Sequence, residues 1–223
     1  MRTKFLNVLC LLLLVHTGLL AQSYLGIHIG VNSGKFSGDS PRNFQYAGKL
    51  QYLAGIDFYL RLKKDLFISF SPSYIKSGSK LQYPYENIEE ETTEYRDSID
   101  LKLDIFSIPI YLNIISDNDR WQFAGGFELG FPMRLLANNS AKEIDITEEI
   151  NDVSVSMIFG LGYRIPIERS YLIINLGYSQ GLTNLTNNLE DPDSYMPRIR
   201  FTSFRLSASY LLPLGKSENK QKP

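Results

Sequence analysis

Cysteine, histidine and tryptophan are nearly missing from this 223-residue sequence, which has one Cys, two His and one Trp. Cys10 and His16 both fall in the apolar N-terminal stretch, so everything beyond it holds one histidine, His28, and no thiol. Disulfide frameworks, thiol catalysis and zinc sites built from several His or Cys ligands are therefore excluded, and any metal would have to bind through oxygen. A charge excess is lacking too, with 23 basic against 24 acidic residues, which removes a basic nucleic-acid-binding surface. At 43% hydrophobic residues the chain is too apolar for intrinsic disorder. Beyond the N-terminus no apolar run is long enough for a spanning helix, so a polytopic helical membrane protein is excluded. HExxH and phosphate-cradling glycine loops are also missing, so no enzyme activity, catalytic residue, cofactor or metal ligand is expected.

What is present is aromatic: 14 Tyr and 13 Phe in one domain's worth of chain. At the start, Arg2 and Lys4 precede the apolar run Leu9 to Val15, followed by Leu19-Leu20-Ala21 and the polar Gln22-Ser23. This is the pattern of a cleaved secretory signal peptide, residues 1–21, with the cut expected after Ala21. A lipoprotein acylated at Cys10 is the weaker alternative, because the apolar run would then follow the cut. Removal of Arg2 and Lys4 with the leader leaves 21 basic and 24 acidic residues, a net charge of −3.

Beyond residue 23 apolar residues recur with period two in eight blocks, the signature of strands with opposed faces. The first sets Leu25, Ile27, Ile29 and Val31 against Gly26, His28, Gly30 and Asn32. The second opposes Leu50, Tyr52, Ala54, Ile56, Phe58 and Leu60 to Gln51, Gly55, Asp57, Tyr59 and Arg61, and the third Leu66, Ile68, Phe70 and Tyr74 to Ser69, Ser71 and Ser73. In the fourth, Ile99, Leu101, Leu103 and Ile105 give way to Ile108, Ile110, Leu112 and Ile114; this change of parity predicts a β-bulge near Phe106-Ser107. Trp121, Phe123, Phe127, Leu129 and Phe131 oppose Gln122, Gly126, Glu128 and Gly130 in the fifth. Blocks at 153–163, 171–180 and 201–212 behave alike, the last with Phe204, Leu206, Ala208, Tyr210 and Leu212 opposite Ser203, Arg205, Ser207 and Ser209.

The connections alternate between long (33–49, 77–98, 134–152, 181–200) and short (62–65, 115–120, 164–170), so long and short loops sit at opposite ends. The expected fold is all-β: an eight-stranded antiparallel up-and-down transmembrane β-barrel spanning residues 22–214, with short periplasmic turns and long extracellular loops, and a charged tail at 215–223. A soluble periplasmic or secreted ligand-binding barrel of the lipocalin kind is the alternative, since it shares strand number and leader. The Gly/Ser content of the polar faces suits a narrow lumen. Tyr24, Tyr74, Trp121, Phe131, Tyr163, Tyr171 and Tyr210 near strand ends suit interfacial girdles, and both features favour the membrane barrel.

The segments Phe106-Ser107-Ile108-Pro109-Ile110-Tyr111-Leu112, Gly125-Gly126-Phe127-Glu128-Leu129-Gly130, Gly160-Leu161-Gly162-Tyr163 and Leu176 to Asn184 resemble the outer-membrane β-barrel family related to porin T. The resemblance spans nearly the whole mature chain. It implies a Gram-negative outer-membrane address, lipids and the barrel-assembly machinery as partners, and for one member type an association with protein secretion, but no catalysis. Leu211-Leu212-Pro213-Leu214 departs from the aromatic residue that usually closes such a barrel.

Parity sends His28, Asp57, Glu128 and Arg205 to one luminal side, from blocks one, two, five and eight. An unpaired charge there is costly to desolvate, so Arg205 is expected to be matched by Asp57 or Glu128 with His28 in hydrogen-bonding reach, as a structural cluster. The acidic stretches Glu86 to Asp97 and Glu143 to Asp152 are expected to be solvated outer loops without calcium-loop spacing, and outer loops or periplasmic turns are the places for a protein partner. Asn138-Asn139-Ser140 and Asn184-Leu185-Thr186 match a glycosylation sequon by coincidence.

Overall fold

A computed structural model describes residues 23–38, 45–87, 92–139, 142–187 and 199–214. The expected leader (1–21), the tail (215–223), Ser140 and the side chains of the acidic stretch Glu86 to Asp97 lie outside the described residues. The strands are β1 (Tyr24–Gly38), β2 (Gln45–Lys63), β3 (Leu66–Phe70), β4 (Ser73–Asn87), β5 (Thr92–Ile115), β6 (Trp121–Asn139), β7 (Lys142–Asp145), β8 (Ser154–Ile167), β9 (Ser170–Gly181) and β10 (Ile199–Pro213). β3 and β4 form a single crossing interrupted at Ser71-Pro72, where proline cannot donate to the ladder. The carbonyl of Pro72 still accepts from Ile56 N at 3.0 Å. β7 is a short hairpin arm paired only with the outer end of β6. Eight crossings therefore pair in chain order, and β1 closes on β10 from Tyr24↔Pro213 to Gly38↔Ile199, completing an antiparallel up-and-down ring.

Through the middle of the ring the apolar face points outward. Ile27 and Ile29 on β1, Leu50 on β2, Phe127 on β6 and Phe204 on β10 are each more than half exposed, whereas the alternate residues Asn32, Ser69, Ser107, Gln122 and Ser203 are buried in the lumen. A soluble barrel needs the reverse. A ring of exposed Ile, Leu and Phe is stable only in hydrocarbon, so the lipocalin alternative does not fit.

Toward the long loops the polarity inverts. Phe36, Tyr46, Ile75, Leu81, Leu101, Leu103, Ile105, Leu135, Ile199 and Phe201 point inward and form a buried cluster, joined by Ile150 and Leu185 from the loops. Outside them run cross-strand ion pairs: Lys49 with Asp100 at 2.6 Å, Lys102 with Glu143 at 2.8 Å and Lys76 with Asp104 at 4.0 Å. This section of wall is built like a soluble barrel. The long loops expected at 33–49 and 77–98 are correspondingly largely strand; β5 alone has 24 residues, over twice the roughly 9–11 that cross a bilayer.

The inversion also corrects the bulge expected on β5. From Leu101 to Ile115 its odd residues stay inward without a break. The hydrophobic residues change parity because the apolar side of the wall changes, from lumen to lipid, near Phe106. The bulge lies on β6 instead: Asp104 pairs with Arg134 and Ile105 with Pro132, leaving Met133 extra and moving the inward positions from Glu128 and Gly130 to Leu135.

The short-turn end is closed by a second cluster, Tyr59, Phe67, Ile115, Ile173 and Leu211, against which Tyr24 and Tyr171 pack. Tyr24 and Tyr171 thus belong to the floor of the lumen and not to an outer aromatic girdle. Trp121 and Tyr163 do face outward, as an edge-to-face pair with ring centroids 5.0 Å apart.

Candidate functional site: the barrel lumen

Strand parity and the closed register bring His28, Asp57, Glu128 and Arg205 into the lumen between the two apolar clusters, as two separate pairs. Arg205 on β10 reaches across to β6, donating from Nη1 to Glu128 Oε1 at 2.8 Å and from Nη2 to Oε2 at 2.9 Å. Ser179 donates to the same carboxylate at 2.9 Å, and Ser107 also donates to it. Four donors on one carboxylate, two of them a parallel fork from a guanidinium, form the strongest class of buried hydrogen-bonded pair. Arg205 Nε is directed at Ser203 Oγ, 3.2 Å away.

The second pair is local to β1, β2 and β4. His28 Nδ1 lies 3.0 Å from Asp57 Oδ1 and Nε2 lies 3.0 Å from Ser73 Oγ, whose own proton goes to the carbonyl of Ser71 at 2.5 Å. The ring fits because Gly55 faces it: a Cβ at that position would stand 2.6 Å from His28 Cε1. Asp57 therefore serves His28, while Glu128 alone takes Arg205, and His28 shares no hydrogen bond with the Arg205 pair.

Several luminal partners were not singled out in the sequence. Gln122 donates to Tyr59 Oη and to Asn113 Oδ1, both at 3.0 Å, and Asn113 donates to Ser69 at 2.8 Å. The same parity that marks Glu128 marks Gln122, so the signal was there. Arg164 was assigned to a turn, yet it continues the inward row Ser156, Ile158, Gly160, Gly162 of β8 and is buried under the floor cluster.

Between the pairs a cavity of about 80 Å³ is bordered by His28, Asp57, Tyr59, Tyr111, Gln122 and Arg205. That is room for on the order of five waters and well below the roughly 300 Å³ at which small-molecule pockets begin. The chemistry assembled here is charge neutralisation and hydrogen bonding. Among the described residues no group of three His, Cys, Asp or Glu side chains is placed to hold a metal.

Residues 20–187 match the family model described as "Outer membrane protein beta-barrel domain". The chain belongs to that family. It is an outer-membrane protein, an antiparallel up-and-down ring of eight strands. No curated protein matches it. Among solved structures it is similar to Ail, the attachment invasion locus protein of Yersinia pestis, at 13% identity over 86% of this chain and 99% of that one, with a TM-score of 0.46. It is also similar to Neisserial surface protein A, at 13% identity over 85% and 96% with a TM-score of 0.48. For OprG from Pseudomonas aeruginosa the values are 8%, 86% and 96%, with a TM-score of 0.44.

Proposed function

We propose that this barrel is a closed scaffold: it anchors an outer wall and its loops in the membrane and presents them, with the periplasmic turns, to a protein partner, without conducting solutes and without catalysis. The observation that carries this is the filling of the lumen. An apolar cluster seals each end, and the Arg205–Glu128 and His28–Asp57 pairs fill the middle around a cavity of about 80 Å³. A continuous aqueous path needs a wider ring, on the order of sixteen strands. The lumen charges are a structural cluster in this reading. The secretion-accessory role implied by the resemblance to the porin T group is one form of such a scaffold, and the assembly machinery is its partner during biogenesis.

Planar-bilayer recording of purified barrel is the test. Rare, brief openings or none are expected, and large steady conductance from the monomer removes the scaffold reading. Crosslinking in intact cells from Lys102 in the outer wall and from Lys64 in a periplasmic turn should each trap a discrete protein adduct.

A further inference from the structure

Four cations of the outer wall each face an acid across the sheet: Lys49 faces Asp100, Lys76 Asp104, Lys102 Glu143 and Arg134 Asp145. Lys35 on β1 and Arg200 on β10 differ, since neither forms an ion pair among the described residues. Both are exposed, and both alternate with buried residues, Lys35 with Gly34 and Phe36 and Arg200 with Ile199 and Phe201, so both side chains point out of the wall. Barrel closure brings them together. Lys35 pairs with Thr202 and Ser37 with Arg200, which makes Lys35 and Arg200 diagonal neighbours on one face, about 7–8 Å apart at the backbone. Like charges so placed repel, and among the described residues no acid relieves them.

Directly beneath this pair the same face runs without a break into the lipid-facing belt. Leu176, Leu206 and Val31 form one register row across β9, β10 and β1, all exposed. The next row outward is Tyr178, Phe204 and Ser33, with the Tyr178 and Phe204 rings 4.9 Å apart. Gln180 and Thr202 follow beside Lys35, and Gln180 Oε1 accepts from Tyr178 Oη at 2.6 Å and from Thr202 Oγ1 at 3.5 Å. Going outward, the order is hydrocarbon, aromatic pair, polar row, cations. Lys35 stands four residues beyond Val31, and Arg200 four beyond Phe204, roughly 13 Å along the strand and less along the membrane normal because barrel strands tilt. Long basic side chains that lean back toward the bilayer reach the head-group layer from there.

We infer that the β10–β1 seam is a binding site for a phosphorylated glycolipid of the outer leaflet, its phosphate held between Lys35 and Arg200 and an acyl chain laid along Phe204, Leu206 and Val31. The guanidinium offers phosphate oxygens a planar pair of donors and the ammonium adds a point charge, and an anion between the two removes their repulsion. Continuity with the belt is what commits the surface to a lipid, because a soluble anion would use the cations but none of the apolar face below them. The site adds to the scaffold role a specific lipid contact at the seam where the ring closes.

The experiment is native mass spectrometry of the folded barrel released from detergent micelles, titrated with bisphosphorylated lipid A and with the same lipid stripped of both phosphates. Wild type should bind the phosphorylated form about tenfold or more tightly, because the charge-assisted contacts are lost with the phosphates. Lys35→Gln combined with Arg200→Gln should bring that affinity down to the level of the stripped lipid. Lys102→Gln, which removes a cation already matched by Glu143, should leave it unchanged. Equal binding of the two lipids by wild type overturns the site, and an equal loss in Lys102→Gln overturns it too, as diffuse attraction to a basic wall. Displacement of the lipid by millimolar inorganic phosphate assigns the two cations to a soluble anion and overturns the lipid reading. The wild-type comparison decides by itself, so a double variant that fails to show the heat-modifiable gel mobility of a folded barrel leaves the test intact.

Discussion

Arg205 on β10 and Glu128 on β6 lie 77 residues apart and meet across the lumen through two parallel N–H···O bonds of 2.8 and 2.9 Å. Neither is on a neighbouring strand of the other, so the pair braces the ring across its width. Removing one partner strands a buried charge, at a cost of about 3–5 kcal/mol. Arg205→Met should therefore lower the unfolding temperature in detergent markedly. The double variant Arg205→Met with Glu128→Leu should recover most of the loss, because an apolar pair of similar volume replaces a pair whose desolvation was already costly. Asp57 can stay as it is, since it answers to His28. Thermal melts of the three proteins check this, and an unchanged melt for Arg205→Met removes the bracing role.

His28 and Asp57 form an independent unit, 3.0 Å apart and flanked by Ser73 and Gly55. His28→Leu leaves the buried carboxylate of Asp57 without its donor, and the expected loss is of the same kind and roughly 1–3 kcal/mol, the usual cost of an orphaned buried polar group. The two units share no hydrogen bond, so the losses from His28→Leu and Arg205→Met should add within about 0.5 kcal/mol. A clearly non-additive double variant would show that the cavity between them couples the pairs.

The membrane-crossing part of this fold was legible because alternation is a direct record of two environments: Ile27, Ile29 and Val31 against His28, Gly30 and Asn32 leaves one assignment per residue. The outer wall was not legible in the same way. There Leu101, Leu103 and Ile105 alternate just as cleanly, but the medium outside them is water, and period two says nothing about which face meets which medium. The same blindness turned a change of medium into an expected bulge on β5, whereas the real irregularity at Met133 hides in Pro132-Met133-Arg134, which has no alternation to break. At the site, parity placed the four luminal charges, but the pairing of Arg205 with Glu128 follows from barrel closure across non-adjacent strands, which no local pattern carries. Tyr24 and Tyr171 show the converse: an aromatic near a strand end suits both a girdle and a floor, and only the inward parity separates the two.

Single-cysteine scanning along β5 reads the inversion directly, because the sole cysteine, Cys10, can be replaced without touching the barrel. Lys102→Cys and Asp104→Cys should react with a water-soluble maleimide added outside cells. Ile108→Cys, Ile110→Cys, Leu112→Cys and Ile114→Cys should resist it and instead quench, when labelled, against a probe carried in the lipid. Odd positions from Leu101→Cys to Asn113→Cys should be protected from both. Reaction of Leu103→Cys with the outside reagent at the rate of Lys102→Cys would mean that the wall does not invert and that the outer segment is an ordinary loop.

The β7 arm makes the outer wall sensitive to acid. Glu143 accepts from Lys102 at 2.8 Å, and that hydrogen bond, with the charge behind it, holds the Glu143 carboxyl below its ordinary value. Asp145 is held low by the hydroxyl and backbone N–H of Thr147, and Thr147 also receives the backbone N–H of Leu135 at 3.0 Å, so the arm is pinned to β5 through Glu143 and to β6 through Asp145. Groups whose folded values are depressed add stability that is complete above their unfolded values, near pH 4 to 4.5, and is lost as the pH falls through the lower folded values. Both carboxyls are solvent-exposed, so the effect is local fraying and not global unfolding, and salt weakens it. Amide exchange at Leu135, Thr147 and Glu149 should accordingly be flat from neutral pH to about 4.5, after correction for intrinsic rates, and accelerate below it, while the amides of β5 between Ser107 and Ile115 stay protected. Asp145→Asn should bring the acid-frayed state to neutral pH. Equal acceleration in both regions would mean that the arm and the barrel open as one unit.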